Sequence, residues 1–128
     1  TWRSKTRRYQ NATGSVVVHT ETDRMLKVVT DNPNVNIALD ARWRDLADEI
    51  RPFRQQVGLR AYSSAFAMLR AVYSGQVLRE LGASAEAVTL AFTQRNQLIA
   101  IFDAYFVDVN RILARNGYPT VQNPFRLR

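Results

Sequence analysis

Apolar positions recur mostly at steps of three and four along much of the chain, the spacing of helices buried on one side. Trp43, Leu46, Ile50, Phe53 and Val57 form one seam, and Leu59, Tyr62, Phe66, Leu69, Tyr73, Val77 and Leu81 a second. Val88, Phe92, Ile99, Phe102, Phe106, Val109 and Leu113 form a third, widened by Leu98, Ile101, Tyr105 and Ile112. That breadth implies burial on more than one side. These seams predict helices over 36–57, 59–81 and 85–115. Met25, Val28 and Val29 add a narrower stripe at i, i+3, i+4, which predicts a short helix over 20–31, capped by Thr20 or Thr22 with Glu21 and Asp23 in its first turn.

The breakers fall between the seams. Pro33 disfavours helix at Asn32 and so ends the short helix, and Pro52 should kink or divide the next one because it lacks a backbone donor. Gly58 and Gly82 separate the seams, Ser84 caps the last helix, and Asn116-Gly117 closes it with Gly117 as a left-handed cap. Residues 1–19 carry no core-forming period. They read as an arm with a turn-prone Asn11-Ala12-Thr13-Gly14 and only weak strand character over Ser15–His19, and the segment from Tyr118 to Arg128 reads as an extended tail. The expected fold is all-α, a basic N-terminal arm with a helix-turn-helix followed by a helical bundle and an extended C-terminal tail.

The chain has 128 residues, 46% of them apolar, which suits one domain with one core. Its 18 Lys+Arg exceed its 11 Asp+Glu by seven, and all the basic residues except Lys5 and Lys27 are arginine. Arginine grips phosphate through a planar fork, so the excess favours a polyanionic partner. The candidate cations concentrate in the first half. Arg3, Lys5, Arg7 and Arg8 lie on the arm with Trp2 and Tyr9 between or beside them, Arg24 and Lys27 on the predicted short helix, and Arg42, Arg44, Arg51 and Arg54 on the next. The other end is basic too, with no acid after Asp108 but Arg111, Arg115, Arg126 and Arg128. Cations interleaved with aromatics suit a nucleic-acid backbone. None falls in a base-reading motif, so contact should be to phosphates and shape. Residues 1–58 are then the DNA-facing arm and helix-turn-helix, and 59–128 the bundle and tail used in assembly, within one structural unit.

Catalysis has little to stand on. There is no cysteine and a single histidine, His19, so disulfides, thiol nucleophiles and Cys- or His-paired metal sites are excluded. No Gly-rich phosphate loop or Ser/His/Asp arrangement is present, and no cofactor is expected. Asp103 and Asp108, at i, i+5, do not share a helix face and read as surface charges or as a partner for Arg111; His19 reads as solvated or capping. The longest apolar stretch, Leu98–Val107, is ten residues with Asp103 inside it, against the roughly 20 that a bilayer span needs. Asn11-Ala12-Thr13 matches the N-glycosylation pattern, a short match common by chance.

The order of parts resembles the major capsid proteins of filamentous and rod-shaped archaeal viruses. The residues that carry the likeness are the Arg/aromatic start Trp2-Arg3-Ser4-Lys5-Thr6-Arg7-Arg8-Tyr9, the helix-turn-helix expected over 20–57 and the alanine- and tyrosine-bearing bundle over 59–115. The start at Thr1 suits the processed subunits of enveloped filamentous members from Pyrobaculum-like hosts. The resemblance implies a virion protein that pairs with itself or a homologous subunit, wraps double-stranded DNA in the A form inside a helical filament, and contacts an envelope without spanning a membrane. Two other readings stand beside it: a small all-α enzyme with an arginine-lined anion pocket, and a phage-type head–tail adaptor or other assembly protein.

Overall fold

A computed structural model describes residues 6–19, 26–57 and 95–123. Three strands come first: β1 (Thr6–Gln10), β2 (Ser15–His19) and β3 (Val28–Thr30). Two helices follow, α1 (Pro33–Val57) and α2 (Arg95–Arg115). The strands form an antiparallel sheet in the order β1-β2-β3, and α1 and α2 pack together. The fold is mixed α/β, which overturns the all-α expectation. The basic arm is in part a strand, and β3 occupies the last residues of the predicted 20–31 helix, so the expected helix-turn-helix is absent from residues 26–57. The predicted helix over 59–81, the first part of the one over 85–115 and the tail beyond Asn123 lie outside the described residues.

Residues 6–19 pair as a hairpin because a turn separates two extended runs. Gln10 faces Ser15, and Asn11 N donates to Gly14 O at 3.1 Å. The Asn11 Oδ1 accepts from Thr13 N at 2.9 Å and Gly14 N at 3.2 Å, the local bond that makes asparagine a turn residue. Val16, Val17 and Val18 are β-branched and fit a pleated surface, with Val16 and Val18 wholly buried and Val17 half-exposed on the other face. β3 joins on the far side, Val18 facing Val28 and Val16 facing Thr30. A stripe at i, i+3, i+4 over so few residues fits either period, and the β-branched Val28-Val29-Thr30 gains more as a strand beside β2 than as an isolated helix turn.

At the entrance to β3, His19 pairs with two residues at once: His19 N donates to Lys27 O at 2.9 Å and Leu26 N to His19 O at 2.7 Å. Leu26 has φ 60°, the left-handed position of a bulge that glycine usually fills. A leucine there costs about 1–2 kcal/mol. The cost is offset because its side chain is wholly buried and its carbonyl accepts the Tyr105 hydroxyl at 2.5 Å.

Asn32 starts α1 rather than ending a previous helix. Its Oδ1 caps Asn34 N at 2.9 Å and its carbonyl takes the first helical bond from Asn36 N at 3.1 Å, with Pro33 at the first helical position, where its missing N–H costs nothing. Asn36 then ties the cap to the sheet, accepting from Thr30 N at 2.7 Å and donating to Thr30 O at 3.0 Å. Exposed Pro52 lies inside α1 without ending it. Val35, Leu39, Leu46 and Ile50 are buried from α1, and Leu98, Phe102, Tyr105, Phe106, Val109 and Leu113 from α2. Trp43, Ile99, Ile101 and Ile112 pack at the margin.

The end of α2 falls where the sequence places it. Gly117 has φ 80°, Gly117 N donates to Ala114 O at 3.1 Å and Tyr118 N to Leu113 O at 2.9 Å, a Schellman closure with buried Tyr118 beside buried Leu113. The chain then doubles back along α2. Val121 exchanges two bonds with the Asn110 side chain, 2.8 and 3.0 Å, and Asn123 Nδ2 donates to Asp103 Oδ1 at 2.7 Å. The expected tail is therefore, over 118–123, a strap that helps to close the core.

Candidate nucleic-acid interface

Most of the described cations divide into three groups. Arg42 and Lys27 face inward. Arg42 Nε donates to Asp108 Oδ2 at 2.7 Å, its Nη1 reaches Glu49 Oε1 at 3.4 Å, and its guanidinium lies 5.4 Å from the centre of the Tyr105 ring. Its side chain is 13% exposed. Burial works against its charge, but the hydrogen bond to Asp108 and the charges of Glu49 and Asp108 outweigh it and raise its pKa further. Lys27 Nζ sits 3.2 Å from Asp40 Oδ1 and 5.1 Å from the Trp43 ring centre.

A second group lies outward in exposed pairs: Arg51 to Asp48 at 2.7 Å and Arg111 to Asp108 at 3.4 Å. Such pairs are worth little and exchange readily for another anion. The third group is outward and makes no ion pair among the described residues: Arg8 on β1, Arg44 on α1 and Arg115 at the end of α2 are all exposed. Arg8 faces Val17 across the hairpin and therefore lies on the sheet's outer face. Half-buried Arg7 faces Val18 on the inner one. Arg3, Lys5 and Arg24 lie outside the described residues, as does the side chain of Arg54.

The structure thus brings none of the described candidates together around a concavity. The inward arginine spends its Nε and Nη1 on carboxylates, at 2.7 and 3.4 Å. Tyr105 is the most deeply buried ionisable group on this seam; burial raises its pKa and keeps its proton on the bond to Leu26 O. Among the described residues no three His, Asp or Glu side chains gather to hold a metal ion, and no helix is long and apolar enough to cross a membrane.

Arg111 and Arg115 stand outside the cations that the sequence singles out for phosphate, though they belong to its basic C-terminal end. Their i, i+4 spacing places both on one exposed face of α2, and that spacing is the available signal. No family model, curated protein or solved structure matches the chain.

Proposed function

We propose that this is a non-enzymatic packaging protein, a capsid subunit that holds double-stranded DNA through sequence-independent phosphate contacts and assembles with itself or with a homologous subunit. One observation carries the reading: among the described residues Arg8, Arg44 and Arg115 stand exposed without acid partners while Lys27 and Arg42 absorb nearby carboxylates. Cations spread over a sheet face, a helix and a helix end suit an extended polyanion better than a compact one, and they present no ordered set of side chains to base edges. The filament, the virion and the A-form duplex rest on the resemblance alone, and the three-stranded sheet departs from the all-helical layout it implies.

The test is a titration of two unrelated duplexes at several salt concentrations. Phosphate gripping releases counterions, so log affinity should fall with log salt at about −0.9 per neutralised phosphate, equally for both sequences. Affinity indifferent to salt, or a strong preference for one duplex, overturns the proposal.

A further inference from the structure

We infer that Asn116 is a conditional deamidation site, closed while the 118–123 strap is docked and opened whenever the strap lifts. Asn116-Gly117 is the one Asn-Gly pair in the sequence. This pair is the most prone to cyclise in a flexible chain, because glycine leaves the following amide nitrogen unhindered. In that reaction the Gly117 nitrogen attacks Asn116 Cγ and loses its proton, the Cγ–Nδ2 bond breaks, and ammonia leaves. Water then opens the succinimide at either carbonyl to give aspartate or isoaspartate. No oxidant or cofactor is required.

Here both reacting groups are engaged. Asn116 Nδ2 donates to Ile112 O at 2.8 Å, which folds the side chain back over the last turn of α2. The Gly117 N–H donates to Ala114 O at 3.1 Å inside the helix closure. Gly117 is held from the other side too, its carbonyl accepting Asn11 Nδ2 at 2.8 Å. A Cβ on Gly117 would sit 3.1 Å from Thr13 Oγ1, so the hairpin turn lies directly against it. Tyr118, the next residue, is buried and donates its hydroxyl to Asp31 Oδ1 at 2.6 Å. Asn116 is nonetheless exposed, so water reaches it and only backbone geometry restrains the reaction.

Reaction would convert a reversible opening into a permanent one. Aspartate puts a negative charge at a helix C-terminus, where the dipole disfavours it. Isoaspartate adds a methylene to the backbone, and the cap can no longer deliver Tyr118 and Val121 to their places.

The experiment incubates the full chain at mildly alkaline pH, native and in urea, and follows Asn116 by peptide mass spectrometry with isotopically heavy water. Asn11→Ala loosens the turn's hold on Gly117, and Asn116→Gln is the control that cyclises slowly. We expect the native chain to react roughly tenfold or more slower than the unfolded one, because the segment must open first, and Asn11→Ala to fall between. Heavy oxygen should enter at position 116 alone in step with ammonia release. Equal rates in native protein and urea overturn the inference, as does an Asn11→Ala rate equal to the native rate when hydrogen exchange shows that the 116–118 amides have become less protected.

Discussion

Arg42 and Arg44 stand two residues apart on α1 with the same side chain, yet they belong to different regions of the molecule. Arg42 lies on the seam with α2, where Asp108 and Glu49 pair with it and the Tyr105 ring lies 5.4 Å from its guanidinium. Arg44 faces out and makes no ion pair among the described residues. The difference is the hundred-degree step of the helix, which carries a residue two places on to the opposite side. An arginine's task is thus set by which acids the fold brings within reach, so a basic run in a sequence mixes structural cations with available ones.

Substitutions at the two regions should separate cleanly. The largest effect is expected for Arg8→Gln, Arg44→Gln and Arg115→Gln combined. The salt dependence of duplex binding should become shallower by about 0.9 for every phosphate that is no longer neutralised, while surface changes shift stability by no more than about 0.5 kcal/mol each. Arg42→Gln should do the reverse. Because Asp108 is partly exposed and water can compensate it, the loss should be about 1–3 kcal/mol in urea unfolding, with the salt slope unchanged. A shallower slope from Arg42→Gln alone would erase the distinction between the regions.

Asp31 extends the comparison to an acid that serves no cation among the described residues. It accepts from the Tyr118 hydroxyl at 2.6 Å and Ser15 N at 3.2 Å. The Tyr118 bond, and after it the Ser15 bond, hold its pKa below the ordinary value, and the same bond raises that of Tyr118. A lowered carboxylate pKa contributes stability that is present above the ordinary value of about 3.9 and is lost as pH falls through the folded one. A raised phenol pKa contributes stability that is present below about 10 and is lost as pH rises through the folded value. Asp31→Asn should therefore lower the melting temperature at neutral pH, flatten its fall in acid and shrink the alkaline limb, which Tyr118→Phe should remove altogether. Lys27→Met is expected to have the smallest effect, about 0.2–1 kcal/mol in urea unfolding, since its pair with Asp40 is partly exposed and its ammonium lies 5.1 Å from the Trp43 ring centre.

The two described helices are legible in the sequence, and the sheet only faintly, at Ser15–His19, for reasons that particular residues show. On α2 the seam residues Phe102, Phe106, Val109 and Leu113 are buried with the flanking Leu98 and Tyr105, while Ile99 lies at the margin, and Gly117 takes the left-handed conformation its position requires. Long periodic stripes constrain both type and face. In β1 the run Thr-Arg-Arg-Tyr-Gln has no alternating apolar pattern, because an edge strand buries little. Its signal is relational: a four-residue turn ending in glycine, followed by three valines, marks a hairpin when read together. Gly14 shows how specific that turn is, since a Cβ there would meet the Asp31 carboxylate at 2.5 Å. Pro33 fits the stop of one helix or the first residue of the next, and only the Asn32 cap decides it. For the interface, the sequence shows which residues are cationic but not which acids approach them, because Arg42 and Asp108 are 66 positions apart.

The strap bears on how the chain reaches this structure. Asn11 and Gly117 are bonded across 106 positions, Asp31 and Tyr118 across 87, and Leu26 and Tyr105 across 79. The wholly buried valines of β2 share one core with α2 and with Val121. During synthesis the hairpin and α1 emerge first with their apolar faces uncovered, and the residues that cover them come many positions later. Such distant closures slow folding and lengthen the exposure of nascent apolar surface. A chain stalled before Val121 would therefore be a client for chaperones and proteases, and commitment to the fold comes as the strap is made.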